Sequence, residues 1–152
     1  MVLYLDEIKI SKSMRLLMKK NKYEITYNRA FSEVVKSCAQ VKRFGQSGTW
    51  ITPGLMNVYN ILHEQGHAHS VEIWDGTKLV GGLYGIDIGD IFCGESMFSK
   101  ASNSSKMALI YLSKELKKNN YKFIDCQVPT AHLASLGAKT ISRKDFLKYL
   151  EK

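Results

Sequence analysis

The chain has 152 residues, 45% hydrophobic and 24% charged, a balance that suits one ordinary globular unit and excludes a disordered tail. No run approaches the roughly 20 consecutive apolar residues that span a bilayer, and the start MVLYLDEIKI carries acids where a secretory leader carries basic residues, so a cytoplasmic protein away from membranes is expected. Twenty-two Lys plus Arg against fourteen Asp plus Glu leave a formal +8, which attracts polyanions such as nucleic acid, although a solvated basic surface accounts for part of the excess.

Ser11 predicts an N-cap for a short basic helix over 12–20, and YEITY at 23–27 alternates like a strand. Asn28 then caps a helix from Ala30 to Lys42 whose Phe31, Val34, Val35 and Cys38 share a face, followed by a glycine-containing loop from Phe44 to Gly48. Thr52 before Pro53 opens a helix with Leu55, Val58, Tyr59 and Leu62 on one face, and Gly66 stops it. Three β-rich runs follow, 68–74, 78–86 and 90–99, separated by the turn signals Asp75-Gly76 and Gly89-Asp90 of an antiparallel meander. An amphipathic helix over 104–118, a buried strand over 122–128 and a terminal helix capped by Ser142 complete a mixed α+β pattern.

Several motifs invite chemistry. His63-Glu64-Gln65-Gly66-His67 matches H-E-x-x-H, with His69 nearby, but that zinc site needs an unbroken helix, and Gly66 should end the helix before His67. Cys38, Cys93 and Cys126 share no short spacing and so propose neither a disulfide framework nor a thiolate cluster. VGGLYG at 80–85 lies inside a strand and leads into another, so its glycines read as a bulge or a close backbone approach rather than a phosphate loop. Ser104, Ser105 and Lys106 open a helix, where amides hold a phosphate or are simply capped. Glu95 in FCGESMF and Asp125 in FIDCQ sit among apolar strand neighbours, where a carboxylate needs cations or donors. With Gln127 on the same strand face as Asp125, they suggest a polar focus in an apolar sheet.

Taken together, TWI at 49–51, GHAHSVEIW at 66–74, LVGGLYG at 79–85, FCGESMFS at 92–99, SSKMAL at 104–109, IDCQ at 124–127, HLASLGA at 132–138 and ISRKDFL at 141–147 resemble the bacterial leucyl/phenylalanyl-tRNA–protein transferase family. The resemblance implies a GNAT-like α+β fold, a mixed, mostly antiparallel sheet flanked by helices. It implies transfer of Leu or Phe, less readily Met, from aminoacyl-tRNA to acceptor proteins beginning with Arg or Lys, marking them for N-degron proteolysis. No cofactor and no metal are expected, and a monomer is. Family members also carry an N-terminal segment with a G-x-F-P-W block, and a C-terminal extension, neither of which is seen, so residues 1–152 are expected to form a single core catalytic domain.

By the same resemblance, Asp125 and Gln127 are the catalytic pair, with the Gln127 carbonyl accepting a hydrogen bond from the incoming amine and Asp125 orienting that contact; pure substrate positioning is the alternative. Leu83, Phe92, Met97, Leu109 and Ile124 line the pocket for the transferred side chain, although each taken singly reads equally well as core. Glu95 and Asp125 supply the negative field for a cationic N-terminal residue. Trp50 stacks on the terminal adenine or walls its pocket, with Tyr59 in support; core packing is the competing explanation for both. The alternatives are a non-catalytic RNA-binding homologue or a GNAT-like N-acetyltransferase, though the latter needs a Q/R-x-x-G-x-G/A loop between strand and helix, and none is evident.

Overall fold

The computed structural model describes residues 1–41 and 48–150. Six strands, β1 (Val2–Tyr4), β2 (Glu24–Tyr27), β3 (Ala68–Asp75), β4 (Lys78–Ile88), β5 (Ile91–Ser99) and β6 (Phe123–Asp125), form one sheet in the order β1-β6-β5-β4-β3-β2. Every neighbouring pair is antiparallel except β5 and β6, which run parallel. Parallel strands need a crossover, and the fifteen-residue helix α4 (Ser104–Lys118) supplies it, with the bounds that the periodicity predicts. No helix among the described residues is long and apolar enough to cross a membrane.

Helices cover both faces of the sheet. On one, Ala108, Leu109, Leu112 and Leu116 of α4 are buried with Val71, Ile73, Leu83, Phe92 and Ile124, alongside Met14 of α1 (Lys12–Lys19). On the other, Phe31, Val34 and Val35 of α2 (Phe31–Gln40) and Tyr59 of α3 (Pro53–Glu64) pack with Ala68, Tyr84 and Phe98. Each large apolar side chain so buried stabilises the fold by about 1.5–3 kcal/mol. The glycines of β4 permit this closeness: a Cβ on Gly81 would lie 2.2 Å from the Ser104 hydroxyl, and one on Gly85 2.4 Å from the Phe92 ring. The Ser104 hydroxyl bonds the Val80 and Ala101 carbonyls, so this end of α4 is packed on the sheet.

Capping agrees with the sequence at Ser11, Thr52 and Ser142, whose hydroxyls accept from Met14, Leu55 and Asp145 amides. Asn28 departs from it. Its backbone is left-handed (φ +57°) and its amide oxygen accepts from the Ser70 backbone. The carboxylate of Glu72 instead receives the N–H groups of Arg29 and Ala30 ahead of α2. A buried acid on a neighbouring strand reaches that helix end better than the local side chain. Helix α2 closes at Gln40 with Val41 extended; Lys42 and the predicted loop from Phe44 lie outside the described residues, apart from Gly48. On α3 only Tyr59 of the predicted face is buried, while Leu55 and Val58 are 36% and 49% exposed. Neither β1 nor α5 (Ala131–Ser135) was anticipated, since three and five residues carry no measurable periodicity.

Two irregularities shape the centre of the sheet. Gly85 pairs with Gly94 and Tyr84 with Ser96, leaving Glu95 as the extra residue of a β-bulge. Beyond this bulge the alternation of β5 inverts: Phe92 faces the α4 side, whereas Phe98, six residues on, packs under α2. In addition, β5 and β6 pair only through Ile91, Phe92 and Cys93 with Phe123, Ile124 and Asp125. Past that point the strands part.

Candidate active site

Where β5 and β6 separate, a cavity of about 420 Å³ opens against α4. Its walls are apolar: Leu83, Phe92, Met97, Leu109 and Ile124, all five of the expected pocket residues, together with Leu112 and Leu133. Glu95 stands at this cavity because the bulge re-aims it. One carboxylate oxygen accepts the Tyr59 hydroxyl at 2.7 Å, and the other accepts Gln127 Nε2 at 3.3 Å. An ionised carboxylate only accepts, so the nitrogen end of Gln127 must face Glu95, leaving the amide carbonyl oxygen for another donor.

The predicted strand over 122–128 stops at Asp125, and this changes the relation of the pair expected to be catalytic, Asp125 and Gln127. Gln127 does not share a strand face with Asp125. It is exposed, in the left-handed region at φ +58°, a conformation that costs about 1–2 kcal/mol for a residue with a Cβ. Asp125 Oδ1 accepts the Gln127 backbone N–H at 2.9 Å and so pins this conformation. The reason lies in the sheet: past Cys93 no β5 partner remains for a continuing strand.

The surroundings keep the phenol and thiols near the cavity neutral. Burial, then the hydrogen bond to Glu95, raises the Tyr59 phenol, which remains a donor. Burial and the charge of Asp125 push the Cys93 and Cys126 thiols up to about 11, which removes them as nucleophiles near neutrality. His132, bordering the cavity from α5, has an Nε2 buried without a hydrogen-bond partner among the described residues, and burial followed by Lys106 lowers its pKa. His132 and Leu133 on α5 and Thr130 at its N-cap were not found from sequence, because α5 is one short turn with no pattern of its own, whereas Leu112 already stood in the predicted α4 stripe.

Trp50 is 44% exposed and lies outside the cavity wall, on the segment that anchors through buried Ile51 beside Tyr59. The helix under the H-E-x-x-H motif is broken: α3 ends at Glu64, Gly66 turns at φ +80°, and His63 Nδ1 donates to the Ala68 carbonyl while its ring stacks on Phe31 at 4.2 Å.

Comparison with known proteins gives the arrangement its context. A similar fold occurs in an aminoglycoside acetyltransferase, meta-AAC0020, from an uncultured soil metagenomic sample (TM-score 0.54, 11% identity, covering 88% of this chain and 90% of that one). Another is L-PGS from Bacillus licheniformis (TM-score 0.51, 14% identity, 97% of this chain and 55% of that one). At such identities the likeness concerns the GNAT-like fold alone. In sequence, the chain is 55% identical over 151 residues to the leucyl/phenylalanyl-tRNA–protein transferase of Flavobacterium johnsoniae, covering 99% of this chain and 71% of that protein. It is 54% identical over 152 residues to that of Flavobacterium psychrophilum, covering 100% and 72%. The family model described as leucyl/phenylalanyl-tRNA protein transferase matches residues 2–151, and the chain therefore belongs to that family.

Proposed function

We propose that this chain, acting in the cytoplasm as one GNAT-like unit, transfers Leu or Phe, and less readily Met, from aminoacyl-tRNA to the N-terminal Arg or Lys of acceptor proteins. Such a product is marked for N-degron proteolysis. The observation that carries the reading is the Gln127–Glu95 hydrogen bond at the edge of an apolar cavity, because it leaves a fixed carbonyl acceptor where an amine can meet an ester.

The transferred side chain enters the cavity, where Phe92, Met97 and Leu83 adapt to an aliphatic or an aromatic shape. The acceptor's α-amine, with an ordinary pKa of about 7.7–8.0, is partly neutral and nucleophilic without a strong base. Gln127 Oε1 accepts one of its N–H bonds and aims the lone pair at the ester carbonyl. Asp125 holds Gln127 in place through the backbone contact. A peptide C–N bond forms, the ester C–O bond breaks, and the amine proton leaves with the 3′ oxygen of the terminal adenosine as a hydroxyl. Orientation of this kind supplies up to about 7–11 kcal/mol of a barrier. Glu95 and Asp125 present negative charge to the acceptor's cationic side chain. Exposed Trp50 stacks on the terminal adenine, and Tyr59 acts by fixing Glu95 rather than by touching the base.

Incubating the chain with leucyl-tRNA and an Arg-initiated peptide tests the reading, with the leucylated peptide as the expected product and an Ala-initiated peptide left unmodified. Binding of the tRNA without transfer would favour the RNA-binding alternative. Acetylation of the peptide from acetyl-CoA would favour the acetyltransferase, which the glycine-free connection over 100–103 between β5 and α4 argues against.

A further inference from the structure

Beyond Cys93, strand β5 keeps a partner on one side only: β4 stays paired with it as far as Ser99, whereas β6 ends opposite Cys93 at Asp125. Which backbone groups this opens follows from the register. Successive residues of a strand direct their N–H and C=O to alternate neighbours. The Cys93 carbonyl lies against Gly85 of β4, so Gly94 turns its own groups to the β6 side. On the far side of the bulge, the Val71 carbonyl of β3 lies against Gly82 of β4. Leu83, opposite Val71, therefore faces β3, and Met97, opposite Leu83, faces away from β4. Three residues apart in a regular strand, Gly94 and Met97 would address opposite neighbours; the inserted Glu95 puts both on one edge. That edge is accessible, since Gly94 and Met97 are partly exposed and border the cavity.

Gln127 is what leaves the edge open at Gly94. In a continued parallel ladder its N–H would pass to the Gly94 carbonyl, but it goes to Asp125 Oδ1 at 2.9 Å. Among the described residues no backbone donor replaces it there, and none reaches Met97 from the β6 side. A strand edge in this condition takes up an extended polypeptide through main-chain hydrogen bonds. The two sites beside it fit such an occupant. Side chains of a strand alternate between faces, so a residue whose side chain enters the cavity on the α4 side is followed by one pointing to the opposite face, where Tyr59 of α3 holds Glu95. An aminoacyl ester carries no amide N–H, so a run of main-chain donors comes only from the acceptor.

We propose that the acceptor polypeptide binds here as an added strand alongside β5 from Gly94 to Met97, its leading amide N–H groups donated to the Gly94 and Met97 carbonyls and the Met97 N–H donated to an acceptor carbonyl. The inference rests on the transferase reading and deepens it: residues after the N-terminal Arg or Lys are held by their main chain, whatever their side chains. Arg-initiated peptides in which one amide N–H, at the second, third or fourth residue, is replaced by an ester oxygen test this with leucyl-tRNA as donor, against a peptide with the ester at its eighth residue. At least one of the three proximal esters should raise KM by about fivefold or more with kcat within about twofold, and the distal ester should leave both unchanged. Hydrogen exchange of the Met97 amide should also slow by about fivefold or more with the all-amide peptide at up to about 10 mM. A smaller rise in KM for all three proximal esters, or a smaller slowing at Met97, would overturn the proposal. Leucylation of the all-amide peptide with a flat ester series sinks this inference alone, whereas no leucylation sinks the transferase reading. The exchange measurement requires no transfer and decides the occupancy of the edge in either case.

Discussion

Glu72 on β3 and Glu95 on β5 flank the same strand, β4, and meet opposite fates. Glu72 is fully buried and saturated: the Thr26 and Ser70 hydroxyls each donate at 2.5 Å, and the Arg29 and Ala30 amides at 3.4 and 3.3 Å. Glu95 is half-buried beside a cavity, with one phenol and one amide as donors. The first lies where three strands pair along their length, the second at a bulge where the sheet comes apart. A carboxylate between apolar neighbours therefore says little by itself about function; the two acids differ in whether the fold completes their donors or leaves capacity for a ligand.

The sharpest way to break this contrast is to remove the saturated acid. Glu72→Ala strands two hydroxyls and the start of α2, and should lower stability by about 3 kcal/mol, read as a shift of the urea midpoint. Near-wild-type stability would erase the distinction. At the splay the effect should appear in rate. Asp125→Ala and Gln127→Ala should each slow transfer by about 100-fold through misplacement of the reacting groups, with an unfolding midpoint near wild type. Smaller again, Glu95→Gln should reduce the preference for an Arg-initiated over an Ala-initiated peptide by about tenfold, and Tyr59→Phe, which frees Glu95, by less. An unchanged Arg-over-Ala ratio in Glu95→Gln would remove that residue from acceptor recognition.

The smallest effect concerns His132. Its folded-state pKa lies below the ordinary 6.5, so the unfolded chain binds the proton first as pH falls. Stability should decline as pH drops below about 6.5 and level off once the folded pKa is passed, with no contribution from this residue above neutrality. His132→Gln should flatten that decline in a pH series of unfolding curves. An identical slope in wild type and variant would assign the titration to another group.

Much of this molecule was legible from its residues. Ser11, Thr52, Gly66, Asp75-Gly76 and Ser142 mark element boundaries that the structure keeps, because capping and turn chemistry act over three or four residues. The quoted motif blocks carried the family, and with it the five cavity residues. Plain alternation could not have united those five: Phe92 and Met97 are an odd number apart, so a regular strand would send them to opposite faces. One inserted residue, Glu95, brings them to one side. Likewise Asp125 and Gln127 were foreseen as strand neighbours, whereas the parting of β5 and β6 turned Gln127 into a left-handed residue held by a backbone contact. Register and strand separation belong to pairs of strands brought together by tertiary packing. Local sequence determined which residues were available to the site, and only the three-dimensional pairing decided which of them face one another.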